Sequence, residues 1–236
     1  MTGRFDPLVF PDFQSREQAL ETLTILLEQF GVAYGTYLGI DIPALNVRTD
    51  YVTTTYPTDW AKHYFAQGYQ AIDPAVTQGM RSILAYDWAD SDRADPKIRR
   101  FFGEAREFGL GENGISIPIR GAAGERVLFS ISSNLKGCDW RDFKTESLGN
   151  LTLAAYLFHQ ATLRLELGPG WSPPQLSPQE IEALRWASAG KSCWDTSIIM
   201  GISARTVEFY IKNAVAKLGA ATKTQAVASA VRMGLL

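Results

Sequence analysis

The sequence is poor in the residues that build disulfides and metal sites. Its 236 residues include only two cysteines and two histidines. Cys138 and Cys193 lie far apart, so we expect free thiols in a reducing cytoplasm. His63 and His159 show no metal-ligand spacing, and no glycine-rich phosphate-binding loop is present. The sequence therefore predicts no metal and no cofactor, and it disfavours metal-dependent and nucleotide-dependent enzymes.

Long apolar runs are also lacking. No stretch approaches the roughly 18 continuous apolar residues of a membrane span. Arg4, Asp6 and Pro7 interrupt any apolar run near the N-terminus, where a signal peptide would need one. We therefore expect a cytoplasmic protein with no membrane partner.

A cluster of proline and glycine at positions 168–174 fits neither a helix nor a strand. It predicts a first domain over residues 1–167, a linker over 168–175 and a second domain over 176–236. The second domain has seven Lys and Arg against four Asp and Glu, a net charge of +3, whereas the whole chain carries −2 and its remainder therefore −5. A basic region beside an acidic one is typical of phosphate binding by the basic region. Because the excess is small, useful affinity should require a dimer.

Helix-start signals recur four times in residues 176–236. The capping hydroxyls are those of Ser177, Ser192, Ser203 and Thr222. A Ser or Thr oxygen accepts a hydrogen bond from a free backbone N–H at a helix start, and an acid or amide three residues on can reach back. The pattern predicts an all-α domain of four helices. A short helix, a glycine turn and a longer helix within it indicate a helix-turn-helix.

The third of these helices, at about 204–218, has two different faces. Its apolar positions fall at i, i+4, i+7 and i+11 and predict the packing face: Val207, Ile211, Ala214 and Leu218. Arg205, Glu208 and Lys212 lie on another face. Such a helix can lie in the DNA major groove, where Lys pairs with guanine and Glu accepts from cytosine. The alternative for Glu208 and Lys212 is a surface ion pair at i,i+4 spacing.

The first domain shows mixed helix and strand patterns. Predicted helices cover 15–30, 58–67, 74–81, 96–108 and 140–167. Predicted strands cover 33–40, 51–55, 114–119 and 126–132, the last two as a hairpin with glycines in its loop. Short strands bracketed by helices predict an α+β fold, an antiparallel sheet with helices on both faces in an α-β-α sandwich.

The longest predicted helix, 140–167, carries apolar residues at 3,4 spacing. They are Leu148, Leu151, Ala155, Phe158, Thr162 and Leu165. This spacing favours a self-association seam and thus a homodimer. The alternative is a helix that covers the sheet.

A group of aromatic and acidic motifs identifies a family. The motifs run from Tyr56 to Tyr64, then Tyr69, Ile72-Asp73-Pro74, Trp88, 101–105, 108–110 and 114–118, followed by Gly190-Lys191-Ser192, Thr206-Val207 and Lys217-Leu218. Together they closely resemble the LuxR family of acyl-homoserine lactone receptors, from about Phe30 to the C-terminus. The second domain departs from the family at Asp195-Thr196-Ser197, usually Glu-Ile-Ala, and at Tyr210, often His.

The resemblance implies a quorum-sensing transcription factor rather than an enzyme. Such a protein binds its signal in the first domain and, as a dimer, binds an inverted repeat in promoter DNA. RNA polymerase is a further candidate partner, and activation and repression both stay open. An orphan regulator that folds without ligand, or answers another small molecule, is the alternative. A phosphorylated response regulator and a lactone-processing enzyme are less compatible with these residues.

The resemblance also implies the roles of individual pocket residues. Trp60 would donate its indole N–H to the lactone carbonyl, and Asp73 would accept from the ligand amide N–H. The hydroxyls of Tyr56 and Ser130 would donate to the amide carbonyl. The residues that would enclose the ring and the proximal chain are Tyr64, Trp88, Phe101, Ala105 and Leu110. Taken singly, these residues have ordinary explanations as core aromatics, a helix cap and a strand serine.

Two further sets of positions complete the sequence-based site. Strand alternation from Ser130 places Leu128 in the pocket, and Leu38 would face it from the first strand. Such bulky residues favour a short, branched or aryl acyl group over a long linear chain. In the second domain, the resemblance gives Glu208 and Lys212 as base readers. The expected phosphate contacts are Arg205, Lys191, Ser192 and Asn213.

Overall fold

The computed structural model describes residues 5–45 and 51–236. These residues fall into two compact units. The first unit lies within residues 1–120 and 125–171, and the second within 121–124 and 172–236. Within the described residues, no helix is long and apolar enough to cross a membrane.

The described residues of the first unit form five α-helices and a five-stranded sheet, as the predicted α+β fold requires. The helices are α1 (Arg16–Phe30), α2 (Thr58–Ala66), α3 (Pro74–Thr77), α4 (Pro96–Glu107) and α5 (Gly137–Leu167). The strands are β1 (Tyr34–Asp41), β2 (Tyr51–Thr54), β3 (Tyr86–Asp87), β4 (Asn113–Arg120) and β5 (Arg126–Ser133). All four strand pairings are antiparallel, in the order β2-β1-β5-β4-β3.

Two features of this unit differ from the sequence prediction. The single helix predicted over 74–81 is instead α3 followed by a 3₁₀ turn at Gly79–Arg81. The Met80 carbonyl in that turn accepts a hydrogen bond from Arg120 of β4, which holds the turn against the sheet. The short edge strand β3 was not predicted, since two residues carry no periodic pattern.

The two faces of the sheet bury different kinds of core. Tyr37 of β1 pairs with Phe129 of β5, and both side chains are fully buried beneath α1 and α5. Because side chains alternate along a strand, Thr36 and Leu38 project from the opposite face, which α2, α3 and α4 cover. The predicted arrangement of helices on both faces of an antiparallel sheet is confirmed.

The predicted self-association seam on α5 is wrong. Leu151, Ala155 and Phe158 are 0% exposed and pack in the core that contains Tyr37. They cannot also contact a second chain, because burying apolar surface against the sheet has already removed it from water. The alternative, a helix that covers the sheet, is the observed one. The exposed apolar residues of α5 are Leu153 and Tyr156, at 43% and 42%.

The second unit contains four helices, as predicted. They are α6 (Pro178–Ser188), α7 (Cys193–Met200), α8 (Ala204–Lys217) and α9 (Lys223–Arg232). Each predicted hydroxyl cap is present, and the boxes at α6 and α7 are reciprocal. One contact was not expected: Glu180, only 4% exposed, caps α6 and also accepts a hydrogen bond from Lys217 of α8 at 2.8 Å. This carboxylate fixes the first helix of the unit to the third.

Candidate functional site

A mostly apolar cavity of about 110 Å³ lies between the sheet and α2, α3 and α4. A single water needs about 10–15 Å³, so this space is far larger than a solvent site. All eleven side chains predicted for the ligand pocket line it: Leu38, Tyr56, Trp60, Tyr64, Asp73, Trp88, Phe101, Ala105, Leu110, Leu128 and Ser130. Residues from distant parts of the sequence therefore meet in one place.

Several lining residues were not predicted. They are Thr36, Val52, Thr54, Ala61, Phe65, Ala75, Val76, Phe102 and Gly111. Strand alternation could have found part of this set, because Thr36 lies two residues from Leu38 and shares its face. Helix contacts such as Phe102 depend on how α4 packs, which the sequence pattern does not specify.

Helix α2 contributes three aromatic residues to the cavity lining, Trp60, Tyr64 and Phe65. Trp60 and Tyr64 lie at i,i+4 on one face of α2, with ring centroids 5.9 Å apart. The rings of Phe101 and Phe108 pack against the Trp60 ring, with centroid distances of 5.9 and 5.6 Å. Trp60 is 3% exposed, and among the described residues its indole N–H has no hydrogen-bond partner. A buried donor of this kind can bind an acceptor on a ligand.

Asp73 both caps a helix and lines the cavity. One carboxylate oxygen accepts from the Ala75 N–H at 2.8 Å, and the other accepts from the Tyr64 hydroxyl at 3.0 Å. Within the described part of the chain, no cation pairs with it. Burial raises the pKa of Asp73 from 3.8 to about 6, because the ionised form loses hydration, although the two hydrogen bonds partly oppose this. The accessible part of its side chain faces the cavity.

Tyr56 supplies a second buried polar group beside that carboxylate. Burial and the charge of Asp73 both raise the pKa of the Tyr56 phenol, so the hydroxyl stays protonated and can donate. Its ring packs edge-on against Tyr34, with centroids 6.1 Å apart. No other described residue hydrogen-bonds its hydroxyl. The cavity thus brings together one carboxylate acceptor and two donors without internal partners.

On the far side of the cavity, Trp88 and Ser130 are connected through a residue that was not predicted. The Trp88 indole donates to the Ser116 hydroxyl at 2.9 Å, and the Ser116 and Ser130 hydroxyl oxygens lie 2.7 Å apart. Ser116 and Ser130 are direct partners across β4 and β5. The predicted hairpin, with its loop near position 123, could have identified this pair by register.

The apolar part of the cavity floor is a row of three cross-strand neighbours. Leu38 pairs with Leu128 on one side and with Val52 on the other. Leu128 is 2% exposed, whereas Val52 is 43% and the lining residue Phe65 is 54% exposed. The cavity therefore approaches the surface between β2 and α2.

A polar cluster beside the cavity joins α2 to α4. Glu104 accepts hydrogen bonds from His63 at 2.6 Å, from Arg100 at 2.5 Å and from the Tyr69 hydroxyl. These donors lower the pKa of Glu104 to about 2. The described residues include no group of three side chains suited to hold a metal ion.

The second unit presents the predicted helix-turn-helix. Gly201, with φ of +66°, ends α7 in the left-handed conformation that glycine tolerates, and α8 begins three residues later. Val207 and Ala214 of α8 are fully buried and Ile211 is 8% exposed, so the predicted packing face is confirmed. The packing directs the opposite face of α8 outward.

The exposed face of α8 carries the predicted base readers. Glu208 and Lys212 are both exposed, and in the described structure they make no ion pair with each other or with another residue. Their charges are therefore available, unlike those of a surface i,i+4 pair. Arg205 is also exposed.

The remaining predicted phosphate contacts differ in their surroundings. Lys191 is exposed just before α7, and Asn213 is half-buried on α8. The Ser192 hydroxyl is exposed, but it already accepts from the Asp195 N–H at 3.1 Å and donates to the Asp195 carboxylate at 2.7 Å. Its role in capping α7 competes with a phosphate contact.

Each of the two units matches a known protein family. Residues 15–162 match the family described as "Autoinducer binding domain", and residues 174–230 match "Bacterial regulatory proteins, luxR family".

Individual relatives agree as well. The transcriptional activator protein RaiR of Rhizobium etli is 31% identical over 82% of this chain and 80% of its own length. The quorum sensing-dependent transcriptional regulator RpaR of Rhodopseudomonas palustris is 32% identical over 86% of this chain and 83% of its own. The crystal structure of Escherichia coli SdiA shares the fold, with a TM-score of 0.67 and 23% identity over 94% of this chain and 92% of that one. The chain belongs to the LuxR family and is an autoinducer-binding quorum-sensing transcriptional regulator with a DNA-binding helix-turn-helix, not an enzyme.

Proposed function

We propose that the autoinducer of this regulator is an N-acyl-homoserine lactone and that it binds in the cavity of the first unit. The observation that carries the proposal is that Asp73, which pairs with no cation among the described residues, lines the same cavity as the Trp60 N–H and the Tyr56 hydroxyl, neither of which has a hydrogen-bond partner there. Such groups are costly to bury unless something binds them. A lactone carbonyl, an amide N–H and an amide carbonyl offer the complementary groups.

Under this proposal each polar residue has one role. The Trp60 indole donates to the lactone carbonyl, and Asp73 accepts from the ligand amide N–H. Tyr56 and Ser130 donate to the amide carbonyl. The remaining wall residues, including Trp88 and Phe101, enclose the ring by apolar contact. A ligand that binds only the folded protein also stabilises it by mass action.

The test removes one donor without removing its ring. Trp60→Phe should weaken binding of N-isovaleryl-homoserine lactone by about 2- to 12-fold, the range for one hydrogen bond. Isothermal titration calorimetry measures the affinity. Trp140→Phe is the matched control, because Trp140 is 5% exposed in the core on the other face of the sheet. Equal effects of both substitutions would contradict the assignment.

We propose further that the acyl group is short, branched or aryl. Leu38 and Leu128 project side by side from neighbouring strands and occupy the floor where a longer chain would extend. A panel of isovaleryl, benzoyl, butanoyl and dodecanoyl lactones measures the preference. Leu128→Ala should improve dodecanoyl binding relative to isovaleryl. Tight dodecanoyl binding by the unaltered protein, with weak binding of the other three, would contradict this proposal.

A different small molecule is the second candidate. SdiA has been solved in complex with octanoyl-rac-glycerol, a molecule that has no amide N–H. Asp73 discriminates the two classes, since Asp73→Asn should weaken an acyl lactone far more than an acyl glycerol. Mass spectrometry of small molecules that co-purify with the protein gives the direct answer.

We also propose that the regulator acts as a homodimer. The exposed apolar residues Leu153 and Tyr156 lie one helical turn apart on the outer side of α5 and can contact a second copy. Leu153→Arg should reduce the dimer fraction in analytical ultracentrifugation. An exposed control, Ile25→Arg on α1, should not. If both variants remain dimeric, the interface lies elsewhere.

The dimer would read an inverted repeat through α8. Glu208 and Lys212 are proposed to contact base edges, and Arg205, Lys191, Ser192 and Asn213 to contact phosphates. Lys212→Ala should reduce discrimination between the operator and mutated sites. Lys191→Ala should instead weaken all DNA binding about equally and lower its salt dependence. RNA polymerase would be a further partner at promoters that the protein activates.

A further inference from the structure

A chain of three hydrogen-bonding groups leads from the protein interior to the cavity. The Trp88 indole nitrogen lies 2.9 Å from the Ser116 hydroxyl oxygen, which lies 2.7 Å from that of Ser130. Ser116 is 0% exposed and is not a lining residue. Ser130 is 3% exposed and does line the cavity. Any effect of Ser116 on a ligand therefore passes through a neighbour.

The direction of these hydrogen bonds follows from the chemistry of the indole. An indole N–H can only donate, so the Ser116 oxygen is the acceptor of the first bond. The hydrogen of Ser116 is fully buried and needs an acceptor of its own. Among the described residues, the Ser130 oxygen is the acceptor within its reach. Ser116 therefore donates to Ser130, and the hydrogen of Ser130 is left for the cavity.

Packing holds the first member of this chain in place. A Cβ atom on Gly114 would lie 2.4 Å from ring atoms of Trp88, so the indole lies directly on the strand backbone. Trp88 also begins a 3₁₀ turn in which the Asp87 carboxylate accepts from the Ala89 N–H at 3.0 Å. Lys144 of α5 pairs with that carboxylate at 2.5 Å. The indole cannot turn its N–H away, and the direction of the chain is thereby determined.

We infer that Trp88 and Ser116 are positioning residues that make the Ser130 hydroxyl a hydrogen-bond donor toward the ligand. The inference rests on the proposed acyl-homoserine lactone and identifies the ligand group at Ser130 as an acceptor, its acyl carbonyl. Without the indole N–H, Ser130 can instead donate to Ser116 and present only lone pairs. Hydrogen bonds in a chain also polarise one another, which strengthens the final donor.

A double-mutant cycle tests the coupling. Ser116→Ala, Ser130→Ala and the double variant are titrated with N-isovaleryl-homoserine lactone at pH 7.5. Ser130→Ala should weaken binding by about fivefold. Ser116→Ala should weaken it by less, because Ser130 keeps its hydrogen but loses the donor that orients and polarises it, and the double variant should bind no more weakly than Ser130→Ala alone. Ser133→Ala removes another buried serine hydroxyl, 1% exposed and outside the lining set, and should leave affinity unchanged. Losses that multiply in the double variant would overturn the inference.

A second cycle, which combines Trp88→Phe with Ser116→Ala, addresses the direction of the hydrogen bonds. Trp88→Phe keeps an aromatic ring but removes the N–H. It should weaken binding more in the natural background than in the Ser116→Ala background, because the relay is already broken there. Equal losses in both backgrounds would show that Trp88 acts by packing alone and would overturn the inference. If the unaltered protein binds no lactone in the panel above, the proposed function is refuted and the inference with it.

Discussion

Ligand affinity should fall in mild acid if, as proposed, the titrating group Asp73 receives the ligand amide N–H. Burial raises the pKa of this carboxyl from 3.8 to about 6. A neutral carboxyl group keeps its proton on one oxygen and is a weaker acceptor than a carboxylate. If only the ionised form receives the amide N–H, the ligand lowers the pKa of Asp73 as it binds. Affinity is then full well above pH 6 and decreases as the pH falls through 6.

The size of the effect follows from the fraction of Asp73 that is ionised. With a pKa of about 6, this fraction drops about tenfold between pH 7 and pH 5, and each pH unit below 6 costs about tenfold in affinity. The unliganded protein should show the opposite trend from this residue. Because the pKa of Asp73 is higher in the folded than in the unfolded protein, its ionisation lowers the free energy of unfolding by about 3 kcal/mol above pH 6. Below about pH 4 the residue is protonated in both states, and this loss disappears.

Calorimetric titration with N-isovaleryl-homoserine lactone from pH 5 to pH 7.5 measures the affinity change. The matched variant is Asp73→Asn, which keeps the shape and the capping oxygen but does not titrate. It should bind about tenfold more weakly at pH 7.5, since a hydrogen bond to a charged group is stronger than a neutral one. Its affinity should also be nearly constant with pH. An unaltered protein with constant affinity, or a variant with the original slope, would refute the role of Asp73.

Three further predictions concern packing and buried charge. Gly114→Ala should destabilise the protein by about 1–3 kcal/mol and weaken lactone binding, because the new Cβ would lie 2.4 Å from the Trp88 ring. A thermal-shift assay with and without the lactone measures both effects. Glu104→Gln should lower the free energy of urea unfolding at pH 7.5 by about 2 kcal/mol. The reason is that charge-assisted hydrogen bonds to Glu104 lower its pKa to about 2 and stabilise the fold above pH 4.5. An unchanged free energy of unfolding would contradict this. Burial lowers the pKa of His159 from 6.5 to about 4, so protonation of the unfolded state at this residue should destabilise the fold by about 1.4 kcal/mol per pH unit as the pH drops from 6.5 toward 4. Because Asp73 has the opposite dependence below pH 6, the contribution is measured by difference: the unaltered protein should lose unfolding free energy relative to His159→Gln at this rate.

Much of the site was predictable because its chemistry is local in the sequence. Trp60 and Tyr64 share a helix face by their spacing alone, and Asp73 precedes a proline at a helix start. The motif order that resembles the LuxR family then related these positions to Ser130, far away in the chain. The capping residues of the second unit were predictable for the same reason, since a cap depends on four consecutive residues.

The contacts that depend on packing were not predictable. The 3,4 spacing on α5 is the same for a helix that contacts a second chain and for one that covers a sheet, so Phe158 gave no sign of its partner. Glu180 was expected only as part of a capping box, yet it also binds Lys217 of another helix. Ser116 lies within the 114–118 motif, but the sequence assigned it no role of its own, and its importance comes from the indole that lies against it.

The sequence by itself determined the α+β and all-α units and the helix caps, because periodicity and capping act over a few residues, and it proposed the residue types for a ligand and for DNA. Only the tertiary structure decided that eleven predicted side chains line one cavity and that, within residues 5–45 and 51–236, Asp73 meets no cation and Glu208 and Lys212 form no ion pair. Only it showed that the Ser130 hydroxyl lies within hydrogen-bonding distance of Ser116, which in turn contacts the Trp88 indole. These properties depend on which groups meet across the sheet and between helices, and burial, not sequence spacing, determines their pKa values and their hydrogen-bond partners.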